Sequence, residues 1–170
     1  MRLLAATALL GVSLAAAGEQ TVLAPIADAT LFEDNPDFAS GAGDFLFIRP
    51  IASGSPSRAL LRFNLSSIPS NATINGVTLR FVIDRAALRS RLVDQARLHK
   101  VLAEWGEGNS NEGTGGAGTL AESGDATWNV RFFGALPSAP WTQPGGDFAV
   151  SASSSITIGG LGSYIVPSTP

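Results

Sequence analysis

The strongest constraint on this chain is a two-residue periodicity. In "NGVTLRFVID", Val77, Leu79, Phe81 and Ile83 alternate with Thr78, Arg80 and Val82, as in a strand that turns one face to a core. Similar short runs of β-branched and aromatic residues recur in "TVLAPI", "ATLF", "DFLFIR", "RALLRFNL", "ATWNVRFF", "SITIGG" and "YIVPSTP". Clusters of Gly, Pro, Asn and Ser separate them, which bounds each run as a strand is bounded. In "RALLRFNL" the spacing sets Ala59, Leu61, Phe63 and Leu65 on one face and Leu60, Arg62 and Asn64 on the other. The all-apolar set is expected to face the core.

One segment resists this reading. "RAALRSRLVDQARLHKVLAEW" is rich in helix formers and places Leu88, Leu92 and Ala96 at i, i+4 spacing. The other strands need partners nearby, so the expectation is a short helical or irregular piece near 85–92 and a strand near 95–103. Asn75-Gly76 reads as a bulge or bend near a strand start, because the apolar pattern continues directly after it. The 19 glycines and the charged fraction of 15% suit strands and loops better than helices.

The N-terminus has a separate character. Arg2, the apolar run Leu3 to Leu14 and Ala15-Ala16-Ala17 form the charged, apolar and small-residue regions of a secretory signal peptide, expected to be cleaved after Ala17. The run is shorter than the roughly 20 apolar residues of a membrane anchor. The expected organisation is therefore a signal peptide over 1–17 and a single domain over 18–170, secreted to an extracellular or periplasmic space with no membrane span after cleavage. The chain has no cysteine, which removes disulfides, thiolate metal sites and cysteine nucleophiles together. A net charge of −3 argues against nucleic acid as a partner.

Motifs with chemical meaning are few. Gly113, Gly115 and Gly118 stand in G-x-G-x-x-G spacing, but a dinucleotide turn opens a helix, and "TLAESGDATW" after it lacks helical periodicity. The only histidine, His99, has no G-x-S-x-G elbow with which to build a triad. Glu104, Glu107, Glu112, Glu122 and Asp125 could pair for glycoside hydrolysis, but sit mostly among Gly, Asn and Ser and read as solvated. Asp34, Asp37 and Asp44 in "EDNPDFASGAGD" are the candidate oxygen ligands for calcium, which no other feature requires as a cofactor. Trp105, Trp128 and Trp141 lie beside or within loops, where indole faces stack on sugar rings or else plug the ends of a core.

The pieces "ADATLFEDNPDFASGAGDFLFI", "SRALLRFNLSSIPSNATINGVTLRF", "LHKVLAEWGEGNSNEGTGGAG", "GDATW" and "WTQPGGDF" resemble the DNRLRE-domain family of secreted bacterial proteins, related to disaggregatase-type and alginate-binding carbohydrate modules. The resemblance runs from about Thr21 to Tyr164. It implies an antiparallel β-sandwich of jelly-roll type, a module of surface or extracellular proteins without catalytic apparatus. Relatives continue through further strands, including the arginine-rich stretch that names the family, so this sandwich is expected to be incomplete at its C-terminus.

Residues and resemblance together lead to an all-β expectation with three functional readings. The first is a non-catalytic secreted module that binds polysaccharide through Trp105, Trp128 and Trp141. The second is a structural or adhesive cell-surface domain with no small ligand. The third is a polysaccharide-active enzyme.

Overall fold

The computed structural model describes residues 19–49, 54–85, 94–113 and 115–167. The signal peptide expected over 1–17 and most of the piece expected near 85–92 lie outside them. Among these described residues ten strands follow in order: β1 Pro25–Phe32, β2 Phe38–Ala39, β3 Ser57–Phe63, β4 Thr78–Ile83, β5 Asp94–Leu98, β6 Thr119–Leu120, β7 Val130–Phe132, β8 Ala139–Pro140, β9 Ser154–Ile158 and β10 Gly162–Pro167. They form five antiparallel pairs, β1 with β3, β10 with β4, β2 with β6, β5 with β9 and β7 with β8. The protein is all-β, with no helix among the described residues and so none long and apolar enough to cross a membrane.

β1 and β3 organise the core. Cross-strand pairs Ala29↔Leu60, Leu31↔Arg58 and Ala27↔Arg62 put three small or aliphatic side chains of β1 on one face with Arg58, Leu60 and Arg62. That face meets Trp105, Ala126, Trp128 and Trp141 in one buried cluster, with Val101 and Ala103 packed against it. The opposite face of β1 is covered too. Thr30 and Phe32 are fully buried, the Phe32 ring lies 6.4 Å from that of Phe47, and the Thr30 hydroxyl accepts the Phe47 N–H at 3.1 Å. A strand enclosed on both sides explains why residues 29–32 are buried without alternation.

This arrangement reverses the expected faces of β3. Leu60 is buried while Ala59, Leu61 and Phe63 are only half-buried and Leu65 is exposed. The reason is chemical: arginine stems are apolar and their guanidinium planes stack on aromatic rings, so Arg58 and Arg62 serve as core-facing residues when indoles lie opposite.

β4 follows the expected alternation, with Leu79, Phe81 and Ile83 half-buried and Thr78, Arg80 and Val82 exposed. Its partner β10 stacks Tyr164 on Phe81 at 5.6 Å. The Tyr164 hydroxyl closes the β9–β10 turn, accepting the Gly159 N–H at 3.1 Å and donating to the Gly160 carbonyl at 2.8 Å. The strand expected near 95–103 forms as β5, which ends at Leu98, followed by an isolated bridge between Val101 and Phe148.

Candidate functional site

The three tryptophans do come together, but inside the protein. Trp105, Trp128 and Trp141 are 3%, 6% and 4% exposed. The Arg62 guanidinium lies 4.6 Å from the Trp105 ring centroid and donates to the Trp105 carbonyl. Arg58 lies 4.7 Å from the Trp128 ring and 4.9 Å from that of Phe148, and donates to the Gly145 carbonyl. The Trp141 Nε1–H donates to the Thr127 carbonyl at 2.8 Å. Stacking on a sugar needs an open aromatic face, so these indoles are core residues and do not form an exposed sugar platform. Burial against its aromatic partners also lowers the pKa of Arg58, an effect that Glu33 opposes.

The glycine-rich stretch is stitched to this core. The Gly106 N–H donates to the Arg131 carbonyl at 2.9 Å, and the Ala126 N–H to the Gly106 carbonyl at 2.8 Å. Asp125, expected to be solvated, is fully buried. Its carboxylate accepts the Glu122 N–H at 2.6 Å and the Ser110 N–H at 3.4 Å, tying both ends of the stretch together. Gly108 has φ +70° and passes so close that a Cβ there would overlap the Asp125 carboxylate, which leaves glycine as the fitting residue. Convergent backbone N–H groups do cradle an anion here, but it is the chain's own: Glu112 Oε2 accepts from Gly116 at 2.9 Å and from Gly118. Gly118 itself packs on the Phe32 ring.

The candidate calcium ligands do not converge. Asp34 makes a two-pronged ion pair with Arg49, at 2.6 and 3.3 Å, which holds its carboxyl below the usual range. Asp37 and Asp44 are exposed. Among the described residues no three His, Cys, Asp or Glu side chains are placed to hold a metal ion. A different pair of acids meets: Glu107 Oε1 accepts the Asp28 N–H at 2.9 Å. Burial raises the Asp28 carboxyl above its ordinary pKa, and the nearby Glu107 adds to the rise.

His99 packs edge-on against Phe148 at 5.2 Å, and its Nδ1 is 2.8 Å from the Ala149 carbonyl, which fixes that nitrogen as the donor. No hydroxyl or carboxylate bonds to the ring among the described residues. Beside it, a shallow cleft of about 310 Å³ is lined by Leu61, Arg62 and Phe63 of β3 and by His99, Lys100 and Glu104, among others.

Sequence reasoning passed over Arg58 and Asp28 and set Arg62 on the face away from the core. The available signal was the i, i+2, i+4 stripe of Arg58, Leu60 and Arg62 in a chain with three tryptophans for guanidinium groups to cover. No family model, curated protein or solved structure matches this chain.

Proposed function

We propose that the chain is a non-catalytic surface module, a β-sandwich of jelly-roll type acting as a structural or adhesive domain. The observation that supports this reading is the enclosure of all three indoles, two of them capped by arginines. The resemblance to DNRLRE-domain proteins and the signal-like N-terminus favour secretion. Glu107 already engages a backbone N–H beside Asp28, and His99 engages a carbonyl, so neither acid chemistry nor a triad is favoured.

Affinity electrophoresis through neutral and acidic polysaccharides tests the proposal, with tryptophan fluorescence read in parallel. The expected outcome is unretarded migration, blue-shifted emission and poor quenching by acrylamide. Retardation accompanied by indole quenching on an oligosaccharide would overturn it.

A second reading, polysaccharide binding, rests on the polar cleft beside β3. Retardation that leaves indole emission unchanged and is lost in Lys100→Ala or His99→Ala would favour that reading over the first.

A further inference from the structure

We infer that Asn75 is a site of spontaneous covalent modification, at which the folded protein loses ammonia and converts to aspartyl and isoaspartyl forms. The reaction needs an asparagine side chain able to swing onto the next backbone nitrogen, an N–H not held by another acceptor, and little bulk on the following residue. Asn75 and Gly76 are both exposed and lie between β3 and β4, outside either strand. Among the described residues neither the Asn75 side chain nor the Gly76 N–H has a hydrogen-bond partner. A Cβ placed on Gly76 would meet nothing within 4 Å, so this irregular stretch has room to rearrange.

The other six asparagines of the chain fail one of these conditions. Asn35 precedes Pro36, which has no N–H. Asn64 precedes the branched Leu65, and its Oδ1 accepts the Ser66 N–H at 3.0 Å. After Asn71, the Ala72 N–H is held by the Pro69 carbonyl at 2.9 Å. After Asn109, the Ser110 N–H is held by buried Asp125 at 3.4 Å. Asn111 is fixed at both ends of its amide, accepting from Gly113 at 2.7 Å and donating to Ala42 at 2.9 Å. After Asn129, the Val130 N–H is held by the Thr127 hydroxyl at 3.2 Å.

The chemistry balances with water alone. Hydroxide or water takes the Gly76 N–H proton, the nitrogen attacks Asn75 Cγ, the bond from Cγ to the side-chain nitrogen breaks as that nitrogen takes a proton back from water, and ammonia leaves a five-membered succinimide. Water adds to either ring carbonyl, opening the ring to an aspartate or to an isoaspartate in which the main chain runs through the former side chain. Each event makes the protein one charge more negative. The isoaspartyl form adds a backbone carbon three residues before Thr78, whose pairing with Pro167 ends the β4–β10 ladder. It also creates a free α-carboxylate of the kind that isoaspartyl carboxyl methyltransferases accept, which defines the class of enzyme that would act on the aged protein.

The test incubates the full folded chain in mildly acidic and mildly alkaline buffer, with an unfolded sample in denaturant alongside. Peptide mapping and methyl transfer by an isoaspartyl methyltransferase supply the readouts. The expected result is a gain of about one dalton confined to the Asn75 peptide, methyl acceptance at the same position, and a faster reaction at alkaline pH. The unfolded sample should also react at Asn109, because unfolding releases the Ser110 N–H. Asn75→Gln should abolish the gain, and Gly76→Ala, which the open surroundings tolerate, should slow it by roughly tenfold through added bulk. An unchanged Asn75 peptide in the folded chain, or equal reaction at Asn109 in folded and unfolded samples, would overturn the inference.

Discussion

The ribbon of β1 and β3 and the ribbon of β4 and β10 are both antiparallel pairs of similar length, yet they are packed very differently. In the first, β1 is covered on both faces, and the ribbon supplies Ala27, Ala29, Leu31 and Leu60 to the buried cluster. The second, with β5 and β9, contributes only Val166, 1% exposed, to the buried apolar residues among those described, while Val82 and Ile165 are 64% and 60% exposed. The difference lies in the loops. The described residues of 101–149 fold three indoles and a buried carboxylate over the first ribbon, and the second has no such cover among the described residues. Strand pairing alone does not make a core, because a two-stranded ribbon leaves both faces open until something packs on them.

The largest test of this contrast is Trp128→Ala set against Val82→Ala. Losing the buried indole should cost about 3–5 kcal/mol, much of the total stability of a domain this size. The exposed valine should matter by no more than about 0.5 kcal/mol. Urea unfolding of both variants measures this, and equal shifts would erase the distinction between the ribbons.

Asp125→Ala comes next. It leaves the Ser110 and Glu122 N–H groups without their acceptor in a buried setting, and a loss of about 2–3 kcal/mol is expected. Amide exchange should then accelerate at Ser110 and Glu122 while β4 and β10 keep their rates.

Arg62→Ala should cost about 1–2 kcal/mol, from lost ring stacking and lost stem packing together. Arg62→Met restores the stem without the guanidinium, so its shortfall in thermal unfolding measures the ring stacking and the hydrogen bond to the Trp105 carbonyl together. A methionine variant as unstable as the alanine variant would show that the guanidinium itself holds Trp105.

The smallest effect belongs to Asp28. Its folded pKa is raised above the ordinary carboxylate value of 3.8 by burial and by Glu107, so the folded state binds its proton more tightly than the unfolded state. Its contribution to stability is therefore full below the unfolded pKa and is lost as pH rises through the folded value. Asp28→Asn should stabilise the protein at neutral pH by about 0.5 kcal/mol, a modest figure because the group remains partly solvated. The advantage should vanish in acid, as thermal unfolding across pH would record.

Much of the secondary structure was legible. β4, β9 and β10 stand where alternation placed them, and the inner and outer residues of β4 match their spacing. "TVLAPI" and "ATLF", read as separate runs, join into the single strand β1, which starts at Pro25. "DFLFIR" forms only the Arg49↔Ser57 bridge, since its backbone serves the cover over Phe32 rather than a ladder. The candidate site was less legible. The glycine stretch looked like open loop because composition reports polarity and not the distant partners, Asp125 and Phe32, that polar and glycine residues meet.

The amino-acid sequence by itself determined that this protein is built from short strands without disulfides, because two-residue periodicity and the absence of cysteine are properties of the chain alone. Only the tertiary structure decided which face of β3 is buried and whether the tryptophans are surface or core. Arg58 and Arg62 point inward because indoles 43 to 70 residues further along the chain give their guanidinium groups something to stack on. That pairing depends on where the loops return in space, which local pattern does not encode.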